Sequence, residues 1–359
     1  MTVAIVITGW IEKPASKMHS EKILGLLCLD QLMALSLEFH AAPVMAKQQP
    51  YLLVDLNSAC SQPVYNSLGF WLQHQAVPVI GYLSDAQKPN DMLEYVDLVV
   101  DRVIDLDRIT ANIAKNPVSS MVLLQVLRST ESMDVQQALT VESLAYSTLQ
   151  SGTEFTTWLE QFRESNRRDI ENTTLPDCSP PVLLSREATV LNIRLNRPEN
   201  HNALSVEMRD GLFEAFQLLA MDSSIKMARV SGLGACFSTG GDLLEFGGFA
   251  NPADAHRVRT LSLPSRVLAE HVDRVEFNLH GACIGSGIEI PAFSSHVTAR
   301  SKTFFQLPEV SLGLIPGAGG CVSIPRRIGR QRTAYFALSG KRINARTALE
   351  WGLIDAIVD

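Results

Sequence analysis

Two glutamates, Glu289 and Glu309, each stand beside a glycine-rich turn in the stretch His280 to Gly320, which reads HGACIGSGIEIPAFSSHVTARSKTFFQLPEVSLGLIPGAGG. The first turn, Gly285-Ser286-Gly287, follows a strand-like run from Val275 to Leu279 and precedes a predicted helix. Backbone N–H groups at such a helix start lack intrahelical partners, and the helix dipole favours negative charge there. Glu289 falls one turn inside that helix. Glu309 follows Pro308, whose ring fixes the local backbone, and a Gly/Pro-rich loop through Gly317 closes the stretch. Two carboxylates near a preformed oxyanion site suit acid–base chemistry on a carbonyl compound.

The elements that must position these groups fall into two runs. Early in the chain, Val3 to Thr8, Tyr51 to Leu56 and Val77 to Leu83 read as buried strands. The apolar stretch Lys22 to Phe39 and a helix near 63–75 alternate with them, predicting a parallel βαβαβ unit. Asp30 and Glu38 interrupt the apolar stretch, so it is expected to be a core helix and not a membrane span. No Gly-rich phosphate loop accompanies these strands, which argues against a dinucleotide site. Asp97 to Ile104 reads as a further short strand. From Asp107 to Glu164 the periodicity turns helical, with Ser132 to Thr148 and Thr153 to Phe162 as the clearest helices.

The polar, Pro-rich segment Ser165 to Ser185 is the expected domain boundary. Beyond it come a strand at Thr189 to Leu195, a helix at Met208 to Met221 and a strand at Lys226 to Ser231. A mobile segment at 247–255 and a helix near 262–273 follow. The chain of 359 residues, 46% hydrophobic and 19% charged, is large enough to bury a sizeable core. Its net charge of −7 leaves no basic footprint for nucleic acid. The 6 scattered cysteines form no C-x-x-C pair, so a reduced cytoplasmic protein without a metal site is expected.

From Val190 onward the sequence resembles the crotonase superfamily, the enoyl-CoA hydratases and isomerases. The matching pieces are LNRPENHNAL (195–204), FSTGGDL (237–243), GACIGSGIE (281–289), FQLPEVSLGLIPGAGG (305–320) and LSGKRINARTALEWGLIDAIV (338–358), in the family's order and spacing. The resemblance implies an α/β fold, a spiral of ββα units under a helical cap, that binds an acyl-CoA thioester. It also implies an oxyanion hole from the backbone N–H groups of Gly241 and Ser286, with Gly240, Asp242, Leu243, Gly285, Gly287, Pro308 and Gly317 lining the substrate.

Glu289 and Glu309, 20 residues apart, match the two glutamates of the hydratases. Glu309 is then expected to protonate the α-carbon, and Glu289 to orient and deprotonate the attacking water. Arg194 and Arg197 fall near the motif that holds the nucleotide end of CoA. Isomerisation, decarboxylation, thioester hydrolysis and a non-catalytic scaffold are the alternatives. No cofactor beyond the substrate's own CoA is implied, and a homo-oligomer (trimer or hexamer) is expected. Three departures stand out: Pro291, expected to kink the helix that carries Glu289; His296, expected to pack or cap; and Glu276 within a strand.

Ordinary members continue past GLIDAIV into a helical tail over the active site. Here residues 107–164 resemble that tail, in the Ala-x-x-Pro start, the position of Glu142 and the closing Ser-Gly-x-Glu-Phe. The organisation expected is therefore a degenerate crotonase-like half (1–105), a cap segment (106–165), a linker (166–185) and a catalytic core (186–359). The cap would serve its own core or a neighbouring subunit.

Overall fold

The computed structural model describes residues 25–38, 50–58, 65–84, 91–167, 179–248 and 251–359. The strand expected at Val3 to Thr8 lies outside them. The chain divides into two compact units, Met1–Ala114 and Lys115–Asp359.

The first unit holds a four-stranded parallel sheet in the order β1 (Leu26–Leu27), β2 (Leu52–Asp55), β3 (Val79–Tyr82), β4 (Leu98–Val100). Helices α1 (Leu29–Glu38) and α2 (Tyr65–Gln73) supply the crossovers, and α3 (Val103–Lys115) follows β4. Leu32, Leu68 and Leu72 close the core over Val54 and Val79, all fully enclosed. Two expectations shift here. Within the apolar stretch at 22–39, the described residues 25–38 hold a short strand followed by a helix, because Leu26 and Leu27 pair with Leu53 and Val54. The strand at 97–104 ends at Val100, and Val103 already opens α3.

The second unit begins with three helices, α4 (Pro117–Thr130), α5 (Val135–Gln150) and α6 (Thr153–Ser165). Asp134 caps α5, its carboxylate accepting from Gln136 N and Gln137 N. The hairpin β5 (Val182–Glu187) and β6 (Val190–Leu195) then enters a six-stranded sheet in the order β13 (Ala356–Val358), β10 (His296–Arg300), β8 (Val275–Leu279), β7 (Met227–Gly232), β6, β5. Within it, β7 (Met227–Gly232) and β8 (Val275–Leu279) run parallel to β6, and α7 (Val206–Met221) links β6 to β7. Helices α8 (Pro252–Ser262) and α9 (Pro264–Leu268) precede β8.

After β9 (Ala282–Ile284) comes the four-residue α10 (Ser286–Glu289). It is followed by β10 (His296–Arg300), β11 (Phe304–Gln306), α11 (Gly320–Ile328), α12 (Arg330–Ser339), β12 (Ile343–Asn344), α13 (Ala345–Trp351) and β13 (Ala356–Val358). Strands β9, β11 and β12 make a second sheet. The core lies under the larger sheet, where Ile193, Val230, Phe277 and Val297 alternate inward and Phe216 of α7 packs in the same interior.

Several boundaries differ from the sequence reading. The division into compact units falls at Ala114 and not in the linker at 166–185, because the helices after Lys115 bury Leu123, Leu127 and Leu139 within the second unit. The end of that linker is strand: Leu183 pairs with Arg194 and Ser185 with Asn192. Helix α8 already begins at Pro252, within the segment 247–255 expected to be mobile, since Asn251 accepts from Asp254 N as an N-cap. No helix among the described residues is long and apolar enough to cross a membrane.

Candidate active site

The spacing of the two glutamates follows from one strand pair. Strands β9 and β11 run parallel with Ile284 opposite Gln306, and Gly285 N donates to Gln306 O at 2.9 Å. Each strand then turns into a short helix, which delivers Glu289 five residues after Ile284 and Glu309 three residues after Gln306. The two carboxylates meet over Gly285. A Cβ built on Gly285 would lie 2.5 Å from Glu309 Oε1 and 3.6 Å from Glu289 Oε1. Gly285 also sits at φ 51°, ψ −123°, a region closed to L side chains. Glycine is required here twice over, for the turn and for the approach of the acids.

Pro291 does not kink the helix that carries Glu289. That helix ends at Glu289, and Pro291 opens a separate 3₁₀ turn, Pro291–Phe293, at a position where its missing N–H costs nothing. Glu289 is only 2% exposed, and its Oε2 accepts from Ala318 N at 2.7 Å and Gly320 N at 3.0 Å. Glu309 is half-buried, and its Oε2 is enclosed with no hydrogen-bond partner among the described residues. Burial pushes Glu289 up to about 7, against the pull of the Ala318 and Gly320 N–H groups. Burial and then the neighbouring Glu289 charge push Glu309 well above the usual carboxylate range.

The expected oxyanion donors lie alongside. Leu204 N donates to Gly240 O and Asp242 N to Leu204 O, leaving the Gly241 N–H between them without an acceptor in the protein among the described residues. The Ser286 N–H, at the start of α10, is likewise without one. The two turns abut: a Cβ built on Gly240, which has φ 93°, would fall 2.9 Å from Ile284 O and 3.7 Å from Gly285 Cα. Gly287 packs against Ser238, and the Ser238 N donates to Ala282 O. Asp242 is taken up in tying two loops together, accepting from Asn200 Nδ2 at 2.8 Å and from Leu244 N at 3.0 Å. Leu243 follows it, half-buried. Pro308 caps the turn carrying Glu309, and Gly317 lies under the ring of Tyr146.

Three features were not assigned a site role from sequence. Glu142 of α5 is 1% exposed, and its two carboxylate oxygens accept from Gly319 N (2.8 Å) and Cys321 N (2.9 Å). Burial and the Glu289 charge push it well above the carboxylate range, while those two N–H groups and Arg259 pull the other way. Tyr146, one turn further along α5, faces all three glutamates and carries the Arg259 guanidinium 4.4 Å from its ring centre. Arg259 of α8 also donates to Ser143 and Ser147 of α5. A signal for Glu142 existed: it shares the helical face of Ala138, Leu139 and Leu149, all buried, where an unpaired acid is costly.

The other singled-out residues lie apart from this cluster. Arg197 donates to Ser179 O and pairs with Glu207 at 3.5 Å, so it is occupied in tying the hairpin's approach. Arg194 is exposed on β6. His296 is exposed at the start of β10 opposite Glu276, which pairs with Arg229 at 3.0 Å on the solvent side of the sheet.

Residues 185–359 match the profile of the enoyl-CoA hydratase/isomerase family. The 2,3-dehydroadipyl-CoA hydratase of Escherichia coli is 31% identical over 176 residues, 49% of this chain and 68% of that protein. The chain belongs to the enoyl-CoA hydratase/isomerase family. The trans-2-decenoyl-[acyl-carrier-protein] isomerase of Streptococcus mutans is 29% identical over 184 residues, 48% of this chain and 67% of that protein. Among solved structures, an enoyl-CoA hydratase from Thermoplasma volcanium is 34% identical and matches with a TM-score of 0.46, covering 50% of this chain and 73% of that one. The family-matched region holds Gly241, Ser286, Glu289 and Glu309. Glu142 and Tyr146 lie before it, on a helix of the same compact unit.

Proposed function

We propose that the protein hydrates the double bond of a 2-enoyl-CoA thioester. The observation that carries this reading is the convergence of two enclosed carboxylates on Gly285, next to two N–H groups free to bind an oxyanion. Two acids that close repel when both are charged, so the site favours one proton shared between them. Glu309 holds it, because Glu289 alone accepts from two N–H groups that favour its ionised form, and Glu289 is the base.

Glu289 takes a proton from water as the water oxygen bonds to the β-carbon. The π pair shifts toward the thioester oxygen, where Gly241 N–H and Ser286 N–H stabilise the enolate. Glu309 then gives its proton to the α-carbon. Net addition is one water, and the proton gained by Glu289 resets the pair on passing to Glu309. The Ser286 side chain has no part in this, because the donor is its backbone. Binding energy comes from the substrate's CoA, and the reading calls for no metal or redox cofactor. A cytoplasmic homo-oligomer fits the family resemblance. Isomerisation is the second reading, since the Streptococcus mutans relative is named for it and the same enolate serves both.

Loss of the enoyl-thioester absorbance band with crotonyl-CoA tests the proposal. Wild type is expected to turn over, and Glu309→Gln to lose about 10²- to 10⁴-fold in kcat, the usual contribution of a positioned acid. Equal rates for the two would remove Glu309 from the chemistry.

A further inference from the structure

The backbone from Ala318 to Cys321 is a ribbon held by two carboxylates in alternation. The N–H groups of Ala318 and Gly320 point to Glu289, and those of Gly319 and Cys321 point to Glu142. Gly319, at φ 104°, permits this alternation by turning successive amides to opposite sides. Other ties fix the ribbon's ends: Ser265 Oγ donates to Ala318 O, and Cys321 Sγ donates to Pro316 O. On the Glu142 side, the carboxylate from α5 is the acceptor for both amides. We infer that Glu142 is a positioning residue, which orients Glu289 by clamping the opposite face of the Ala318–Cys321 ribbon. The inference rests on the reading of Glu289 as the base.

The physical reason is the scarcity of alternatives in a closed site. Without Glu142, two enclosed N–H groups lose their acceptors, and the ribbon must rotate to find others. A shift of the ribbon toward new acceptors carries the interleaved amides with it, so Ala318 N and Gly320 N move off Glu289 Oε2. Glu289 then loses both its aim and the two donors that favour its ionised form. The groups facing Glu289 are Glu142 and Tyr146 from α5, Cys321 from α11, and Glu309, while Arg259 of α8 faces Glu142 and Tyr146.

The test compares Glu142→Gln, Glu142→Asp and Glu289→Gln in the full-length protein with crotonyl-CoA. In Glu142→Gln the amide nitrogen has no lone pair, so one ribbon N–H meets another donor. In Glu142→Asp the acid survives one methylene short of its partners, which keeps the question open should the glutamine variant fail to fold. Expected for each folded variant is a kcat lower by about 10²-fold from misplacement of the base. KM should stay within about twofold, since ground-state binding is untouched. The rising limb of the kcat/KM profile should also move to higher pH, a readout that a merely structural cap contact would not shift. A folded variant with wild-type kcat and an unmoved limb, alongside an inactive Glu289→Gln, would overturn the inference while leaving the functional reading intact. A fully active Glu289→Gln would overturn the functional reading itself, and this inference with it.

Discussion

At the scale of residues, the site depends on keeping two carboxylates apart in charge while close in space. Burial raises both, but only Glu289 has two N–H donors that favour its ionised form. Glu309 has the Glu289 charge beside it and an enclosed oxygen with no partner among the described residues. The resulting pH dependence has a definite sign. Activity should rise as pH passes through about 7, where Glu289 loses its proton, and fall at higher pH, where Glu309 loses the proton it must donate. A kcat/KM profile with no rising limb near neutrality would contradict the assignment of Glu289. Both acids were legible in the sequence from their turns and spacing. Glu142 was legible as part of a tail pattern and as an acid on an apolar helical face, but not as a neighbour of Glu289, because its partners are backbone amides 177 and 179 residues away. No local spacing encodes such a contact.

At the scale of elements, the pairing of β9 with β11 sets the geometry, and the two helical turns that follow aim the acids. Gly285 is the point where they meet. Gly285→Ala would place a methyl against Glu309 Oε1 and force φ 51°, ψ −123° on an L residue, at about 1–3 kcal/mol of strain. Expected is a folded protein of lowered melting temperature with kcat down more than about 10²-fold; near-normal turnover would show that the acids do not meet there. Pro291 was expected to disturb this geometry, yet the helix is complete before it. The sequence shows a proline in a helical register, but it does not show that only four residues of helix are used. The strand at 182–187 was hidden for a related reason. Its pairing with β6 is decided across a turn by Val182 against Leu195, not by the polar, proline-rich composition before it.

At the scale of the molecule, the order of the parts along the chain is the unusual feature. The helices that enclose the glutamates, α5 above all, precede the family-matched region, and they belong to the same compact unit. Aromatic residues carry the closure further: Phe155 and Trp158 of α6 pack on Phe246, whose ring lies against Gly241. The tail-like pattern at 107–164 pointed to such a cap. That α4 to α6 pack in the same compact unit as the glutamates was not legible, since amphipathic helices advertise a buried face without naming what covers it. The central claim is that this enclosed pair adds water to an enoyl thioester. It is tested most directly by the mass and position of label in the product formed from crotonyl-CoA in D₂O. The account predicts 3-hydroxybutyryl-CoA with one deuterium bound at C2. A 3-enoyl thioester, or recovered substrate carrying no hydroxyl, would contradict it.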